Sequence, residues 1–339
     1  MGILKSVARK IIFPVVIKSG FETMLSRGAE NRHLVLMYHG VVNEVKPELS
    51  VNHLSKKDFE KHLQYLKDHF EVVSLVELFK MYRNNSNDSK QYVAITFDDG
   101  YENNYNNAFP LLKKHNLPAT IFVAAQCLQS NDAILWYDFI DLFKKEINLN
   151  SIDFSTVELK NEKKEKLQSI KSIGKLKSFL KTLTTEEKKS VMQRLFTDEK
   201  ANVLKLKGDK EYWKMLNANQ MKEMTDSGLI EIGSHSVSHP NLDCISSVDL
   251  INELRESKKL LEAAIEKEVI SIAYPDGAYS DEVKKQSIDS GYKNLLAVDY
   301  RLSSDADDKN VLPRFCISNT TTVESNMISL HKSFSKSGF

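Results

Sequence analysis

YVAITFDDGYENN, residues 92–104, sets an unbroken apolar run against two adjacent aspartates. Tyr92 to Phe97 shows no alternation of apolar and polar residues, the pattern of a strand covered on both faces. Carboxylates resist burial, so Asp98 and Asp99 at the end of such a strand need a reason to be there. Neighbouring side chains on a strand point to opposite faces. Both can reach one place only if the chain bends, and Gly100 permits that bend.

Six further runs share the pattern: LVLMYH (34–39), ATIFVAA (119–125), LIEIGSH (229–235), VISIAYP (269–275), NLLAVD (294–299) and VLPRFCI (311–317). Helical segments lie between them. Ser55 opens KKDFEKHLQYLKDHF, Ser247 opens the segment carrying Leu250, Leu254, Leu260, Leu261 and Ala264, and Ser280 opens DEVKKQSIDS. Gly228 and Gly291 stand where helices end. Alternating strands and helices over about 250 residues predict an α/β fold, a barrel or a doubly wound sheet. Residues 127–216 break the rhythm: they contain no convincing strand, and Thr184 and Glu187 have capping-box spacing. This stretch reads as a helical insertion, which in a barrel overhangs the site. The implied layout is an N-terminal amphipathic helical segment (1–32), a domain from 33 to 320 and a C-terminal tail (321–339).

The 339 residues are 41% hydrophobic and 27% charged, with a net charge of +1. That suits a folded core and gives no electrostatic case for nucleic acid. Cys127, Cys244 and Cys316 form no CxxC pair and read as small buried apolar residues in a reducing compartment. The N-terminus alternates basic and apolar residues. IIFPVVI (11–17) is too short to span a bilayer and lacks a cleavage site behind it. Gly2 and Ser6 fit a myristoylation pattern. The segment reads either as a helix docked on the domain or as one lying on an anionic membrane face, with Lys5, Arg9, Lys10 and Lys18 near the headgroups.

The unusual polar residues fall at strand ends. Besides Asp98 and Asp99 these are His39 after LVLMY, His235 and His239 in HSVSH, Asp276 in AYPDG and Arg314 within VLPRFCI. The C-terminal ends of parallel strands converge on one face, where sites are built. Alone, Asp-Asp-Gly is as readily a capped turn, HxxxH two surface histidines, and His39 a hydrogen-bonded core residue. Together they suit an open site of two histidines and a carboxylate, with the second carboxylate as a base.

TFDDG (96–100) and HSVSH (235–239) resemble the first two motifs of the polysaccharide deacetylases, carbohydrate esterase family 4 with the NodB homology domain. AYPDG, LMYHG and LPRF resemble the branch that contains the poly-N-acetylglucosamine deacetylases. The resemblance implies a distorted (β/α) barrel of about seven parallel strands around a divalent metal, usually zinc, with cobalt or nickel as alternatives. It implies Asp99, His235 and His239 as ligands, Asp98 as the general base, and the backbone N–H of Asp276 as an oxyanion donor. The acid that protonates the leaving amine would be His39, with His331 in SLH (329–331) as its rival. Tyr101, Pro275 and Gly277 belong to the motifs that would contact substrate. The usual arginine partner of the base is missing from AYPDG, and Arg314 is expected to take its place.

The expected activity is removal of N-acetyl groups from amino sugars of a glycan or glycan precursor in surface-polysaccharide assembly. An O-acetyl ester or a small acetamide would use the same residues. A glycan-binding protein with a relic site would not need every metal and base position filled. Trp136, Tyr137, Tyr212 and Trp213 could stack on sugar rings or simply pack. The missing signal peptide and the basic N-terminus point to the cytoplasm, peripheral to the inner membrane face.

Overall fold

The computed structural model describes residues 11–26, 32–84, 90–130, 132–196 and 209–334. Gly2, Lys5, Ser6, Arg9 and Lys10 lie outside the described residues.

All seven apolar runs become strands of one nine-stranded sheet. In chain order these are β1 His33–Tyr38, β2 Glu71–Val72, β3 Tyr92–Phe97, β4 Ala119–Val123, β5 Ile230–Ser234, β6 Ser271–Ala273, β7 Asn294–Leu296, β8 Val311–Leu312 and β9 Arg314–Cys316. Their spatial order is β8-β7-β6-β5-β4-β3-β1-β9, with β2 paired to the start of β3. Every pairing is parallel. The seventh run divides at Pro313, which has no N–H to donate. Its first half pairs with β7 (Leu312 opposite Leu296) and its second half with β1 (Arg314 opposite Val35). One run thus serves both ends of the sheet and bends it back on itself, but no single ladder closes the ring. The barrel is distorted at that point.

Two apolar layers hold the sheet. Val35, Ala94, Phe122, Ala273, Leu296 and Leu312, one from each of six strands, cluster on one face. Leu75, Leu78 and Phe79 of helix Leu75–Arg83 join them. The other face packs against the intervening helices, including Leu250, Leu254 and Leu261 of helix Ser247–Ile265. That helix is capped by Ser246, one residue earlier than the sequence suggests, its hydroxyl accepting from the Asp249 N–H. Ser55 and Ser280 cap their helices as expected.

The insertion has its own core. Phe139, Phe143, Phe154, Leu167, Leu176 and Leu180 belong to a cluster separate from the sheet's. Its helices are Trp136–Phe143, Asn161–Gln168, Ile173–Leu180 and Thr185–Leu195, the last with the complete Thr184–Glu187 capping box.

The C-terminal stretch departs from the expected tail. Val323–Phe334 is a helix with eight buried residues, packed on β1 and helix Lys56–His69. Its polar look in sequence comes from Asn326, His331 and Ser333, all of which are buried. At the other terminus, Phe13–Ser19 is a short helix, with Pro14 tolerated in the first turn, followed by a 3₁₀ turn over Phe21–Ser26.

Candidate active site

Asp98 and Asp99 leave the end of β3, and both are buried. The bend that lets them converge begins one residue earlier than expected. Asp99 itself has φ 78°, and Gly100 follows at 81°. Gly100 also lies so close to β4 that a Cβ there would meet Val123 at 2.8 Å. Six non-glycine residues with positive φ occur among the described residues. Asn116 and Glu266 end helices. The other four, Asp99, Ser236, His239 and Asp276, all belong to the strand-end motifs. Left-handed backbone costs about 1–3 kcal/mol per residue and persists where the surroundings enforce it.

The surroundings here are specific. The His235 N–H donates to Val123 O at 2.9 Å, and its Nδ1 lies 2.7 Å from Ala273 O. A carbonyl only accepts, so Nδ1 carries the proton and Nε2 presents a lone pair to the site. The loop to His239 is held by Glu253, whose carboxylate accepts from the Val237 and Ser238 N–H groups (2.7 and 3.0 Å) and the Ser238 hydroxyl (2.6 Å). Tyr137 presses edge-on against the His239 ring at 5.0 Å.

Asp99, His235 and His239 each place one ligand atom within 4.8 Å of the other two. Asp99 Oδ1 lies 3.6 Å from His235 Nε2 and 3.5 Å from His239 Nε2. These distances are long for hydrogen bonds. They match the roughly 3.3 Å edge of a tetrahedron with metal–ligand bonds of about 2.0–2.1 Å. Burial, then the neighbouring His235, lowers His239 to about 4, so that ring is neutral and able to ligate. The donor set therefore fits a divalent ion.

Asp98 is turned to a different partner. Arg314, wholly enclosed on β9, donates from Nη1 to Asp98 Oδ1 at 2.6 Å and from Nη2 to Oδ2 at 2.8 Å. Its Nε donates to Ala297 O, and the guanidinium lies 5.7 Å from the Phe122 ring centroid. Burial works to raise the Asp98 pKa. Arg314 and then His235 outweigh it and bring it down to about 2. His235 Nε2 is 3.9 Å from Asp98 Oδ2, so the two aspartates share one site.

A cavity of about 310 Å³ opens over these residues. His39 lines it, half-buried, with its Nδ1 unpartnered. His331 lies elsewhere: its Nδ1 and Nε2 are taken by Ser26 and Tyr65, and its ring packs on Phe70. Tyr101 lines the cavity, but its hydroxyl is committed to Asp138 at 2.9 Å. Gly277 borders the cavity, whereas Pro275 is buried and does not line it. The Asp276 carboxylate is paired with Lys181 of the insertion. Cys316 is exposed on the cavity lining, against the buried role expected of it, because β9 ends there and turns its last side chain outward. Of the four aromatics that bracket the insertion only Tyr137 faces the cavity, and Tyr212 and Trp213 are buried.

The sequence reading missed Glu253, Asp138, Lys177 and Lys181. Glu253 looks like any polar residue on an amphipathic helix. Asp138, Lys177 and Lys181 sit in the insertion, where no motif marks them, and all three line the cavity. Burial first, and the Asp99 charge second, hold Asp138 well above the usual carboxylate range.

A polysaccharide deacetylase family model matches residues 85–295. YxkH of Bacillus subtilis, a protein named for that family, is 26% identical over 76% of this chain. The match spans 62% of YxkH's own length. The poly-beta-1,6-N-acetyl-D-glucosamine N-deacetylase of Staphylococcus aureus is 27% identical over 53% of this chain and 70% of its own. Among solved structures, IcaB from Ammonifex degensii aligns with a TM-score of 0.57 and 16% identity, covering 90% of this chain and 98% of its own. The Streptococcus pyogenes deacetylase PplD aligns with a TM-score of 0.56 and 21% identity, covering 87% and 96%. At these identities the two structures speak to the fold.

Proposed function

Because the chain belongs to the polysaccharide deacetylase family, we propose that it hydrolyses N-acetyl groups on amino sugars of a glycan or glycan precursor. The pathway would be surface-polysaccharide assembly. The observation that carries the reading is the division between the two aspartates: Asp99 faces His235 and His239, while Asp98 is held ionised by Arg314. Asp99, His235 and His239 would hold a divalent ion, zinc by the chemistry of two imidazoles and a carboxylate, with cobalt or nickel as alternatives. Such an ion polarises the acetyl carbonyl and acidifies water.

The chain's own residues carry the rest. Asp98, locked by two hydrogen bonds and charged, takes the proton from the attacking water. The water oxygen first adds to the acetyl carbon, and the amide C–N bond then breaks as the oxyanion collapses, releasing acetate. The departing nitrogen needs a proton to leave as an amine, and His39 gives it from the cavity wall. The backbone N–H of Asp276, on a turn held in the left-handed region at φ 55°, supports the oxyanion. Lys181 pins that turn from the insertion.

The test is metal content together with acetate release from N-acetylglucosamine oligomers. The wild-type chain should carry one divalent ion and release acetate. Asp99→Ala should lose the ion, and Asp98→Asn should keep it but lose turnover. Full turnover in Asp98→Asn, or no acetate from a metal-loaded wild-type chain, would overturn the reading. A cytoplasmic location is part of the same proposal, supported by the basic, apolar N-terminus. No described helix is long and apolar enough to cross a membrane. Recovery of the protein outside the cell on fractionation would sink that part.

A further inference from the structure

Among the described residues ten large apolar side chains are exposed. Six of them, Ile11, Ile12, Val15, Phe21, Met24 and Leu25, fall within residues 11–25. Ile11 and Val15 are 62% exposed and Phe21 is 65% exposed. Two polar side chains of the same segment, Glu22 and Ser26, point inward, while Lys18 and Ser19 are exposed. Glu22 is fully buried and accepts from the Tyr65 hydroxyl at 2.8 Å. Ser26 is buried too, its hydroxyl 2.8 Å from His331 Nδ1, and its carbonyl accepts from Gln91 Nε2 at 3.1 Å. A segment that only packs on a domain buries its apolar face and exposes its polar one. Here Ile17 packs on the core and Phe13 and Val16 are half-buried, yet six further apolar side chains stay outward. Hydrogen bonds of Glu22 and Ser26 clamp the segment in that orientation.

We infer that the outward face of residues 11–25 docks on an anionic lipid surface. Charge selects this occupant. The first 21 residues contain no Asp or Glu but include Lys5, Arg9, Lys10 and Lys18. Lys18 is exposed in the last turn of helix Phe13–Ser19. Exposed apolar residues interleaved with cations are what an interfacial segment needs, since affinity follows both buried apolar area and attraction to anionic headgroups. A second copy of the same face would set like charges against each other. The site's position gives an orientation as well. Ser26 contacts Gln91, immediately before β3 begins, whereas Asp98 and Asp99 stand at its far end. A six-residue strand spans roughly 20 Å. The docked end therefore lies opposite the catalytic mouth, which opens away from the bilayer toward a substrate in the aqueous phase.

Co-sedimentation of the full chain with phosphatidylcholine vesicles, with and without phosphatidylglycerol, tests this. Binding should appear with the anionic vesicles and weaken in high salt. It should fall about 10-fold or more in the triple variant Val15→Ser, Phe21→Ser, Met24→Ser, and about 5-fold in Lys18→Ala. Acetate release from soluble oligomers should be unchanged in both, because none of these residues touches the site. Failure of the wild-type chain to bind anionic vesicles would overturn the inference. So would binding that the triple variant retains, or a stable dimer in solution that the triple variant dissociates. Vesicle binding by a chain that releases no acetate would leave this inference standing and sink only the proposed deacetylation.

Discussion

Asp98 owes its charge chiefly to Arg314. Buried as it is, an unpaired carboxylate there would be driven toward the neutral acid, and only the two-pronged contact with Arg314, helped by His235, reverses that. Removing the guanidinium leaves the burial and takes away its main counterweight. In Arg314→Met the Asp98 pKa should rise, so the acid limb of the kcat/KM profile should move to higher pH by at least about one unit. The lone buried charge should also cost about 3–5 kcal/mol of stability. Arg314→Lys should recover part of both, and a pH profile unchanged in Arg314→Met would remove Arg314 from the mechanism. His39 answers to a different measurement. An amine is a poor leaving group without a proton, so His39→Gln should slow amide cleavage by about 10²–10⁴-fold. An activated acetyl ester, with a better leaving group, should suffer much less. Equal losses on the two substrates would make His39 a positioning residue.

At the scale of elements, the site depends on supports drawn from outside its motifs. Helix Ser247–Ile265 sends Glu253 back to hold the 235–239 loop through three hydrogen bonds. Glu253→Gln puts an amide where two backbone N–H groups and a hydroxyl need acceptors. Metal affinity should fall about 10-fold or more by competition with a chelator, since supports of ligands typically contribute that much. Intact affinity would show that the loop's own backbone holds it. The insertion can be loosened separately: Thr184→Ala should remove its cap and cost about 1 kcal/mol, read as a lower melting temperature. The strands were legible because a buried parallel strand must be apolar along its whole length, and the motifs because strand ends converge. Arg314 could be anticipated as a counter-charge, yet its exact reach across to Asp98 depends on Pro313 dividing one run between two neighbours. Glu253, Asp138 and Lys181 were not legible, because nothing local separates a polar residue facing solvent from one facing a loop or a cavity brought in by tertiary packing. The buried role of helix Val323–Phe334 was hidden for the same reason: its polar residues find their partners on other elements.

At the scale of the whole molecule, burial of neutral histidines makes the fold sensitive to acid. Burial is the first cause that lowers His53 to about 3 and His62, His239 and His331 to about 4. A histidine in the unfolded chain titrates near 6.5. Between about 6.5 and 4 the unfolded chain therefore binds protons that the folded chain refuses. The stability these groups contribute is complete above about 6.5 and is lost as pH falls toward the folded values, at up to about 1.4 kcal/mol per pH unit for each histidine. Carboxylates with lowered pKa act only below about 4, whereas burial raises Asp138 and Glu231 and makes them oppose the histidines in the window from 6.5 to 4.5. One histidine's share is therefore read from the difference between variant and wild type. His331 is the informative one, because it lies away from the catalytic cavity and joins Ser26, Tyr65 and Phe70 across three segments. His331→Phe should lower stability at pH 7.5 by removing two buried hydrogen bonds. It should also reduce the slope of stability against pH by about one histidine's share, measured by urea unfolding of the metal-free protein at pH 7.5, 6.0 and 5.0. A slope equal to the wild type would mean that His331 accepts its proton within the fold. The clamp on the N-terminal segment would then survive acid, whereas a reduced slope places the loosening of that segment in the same pH window as the loss of stability.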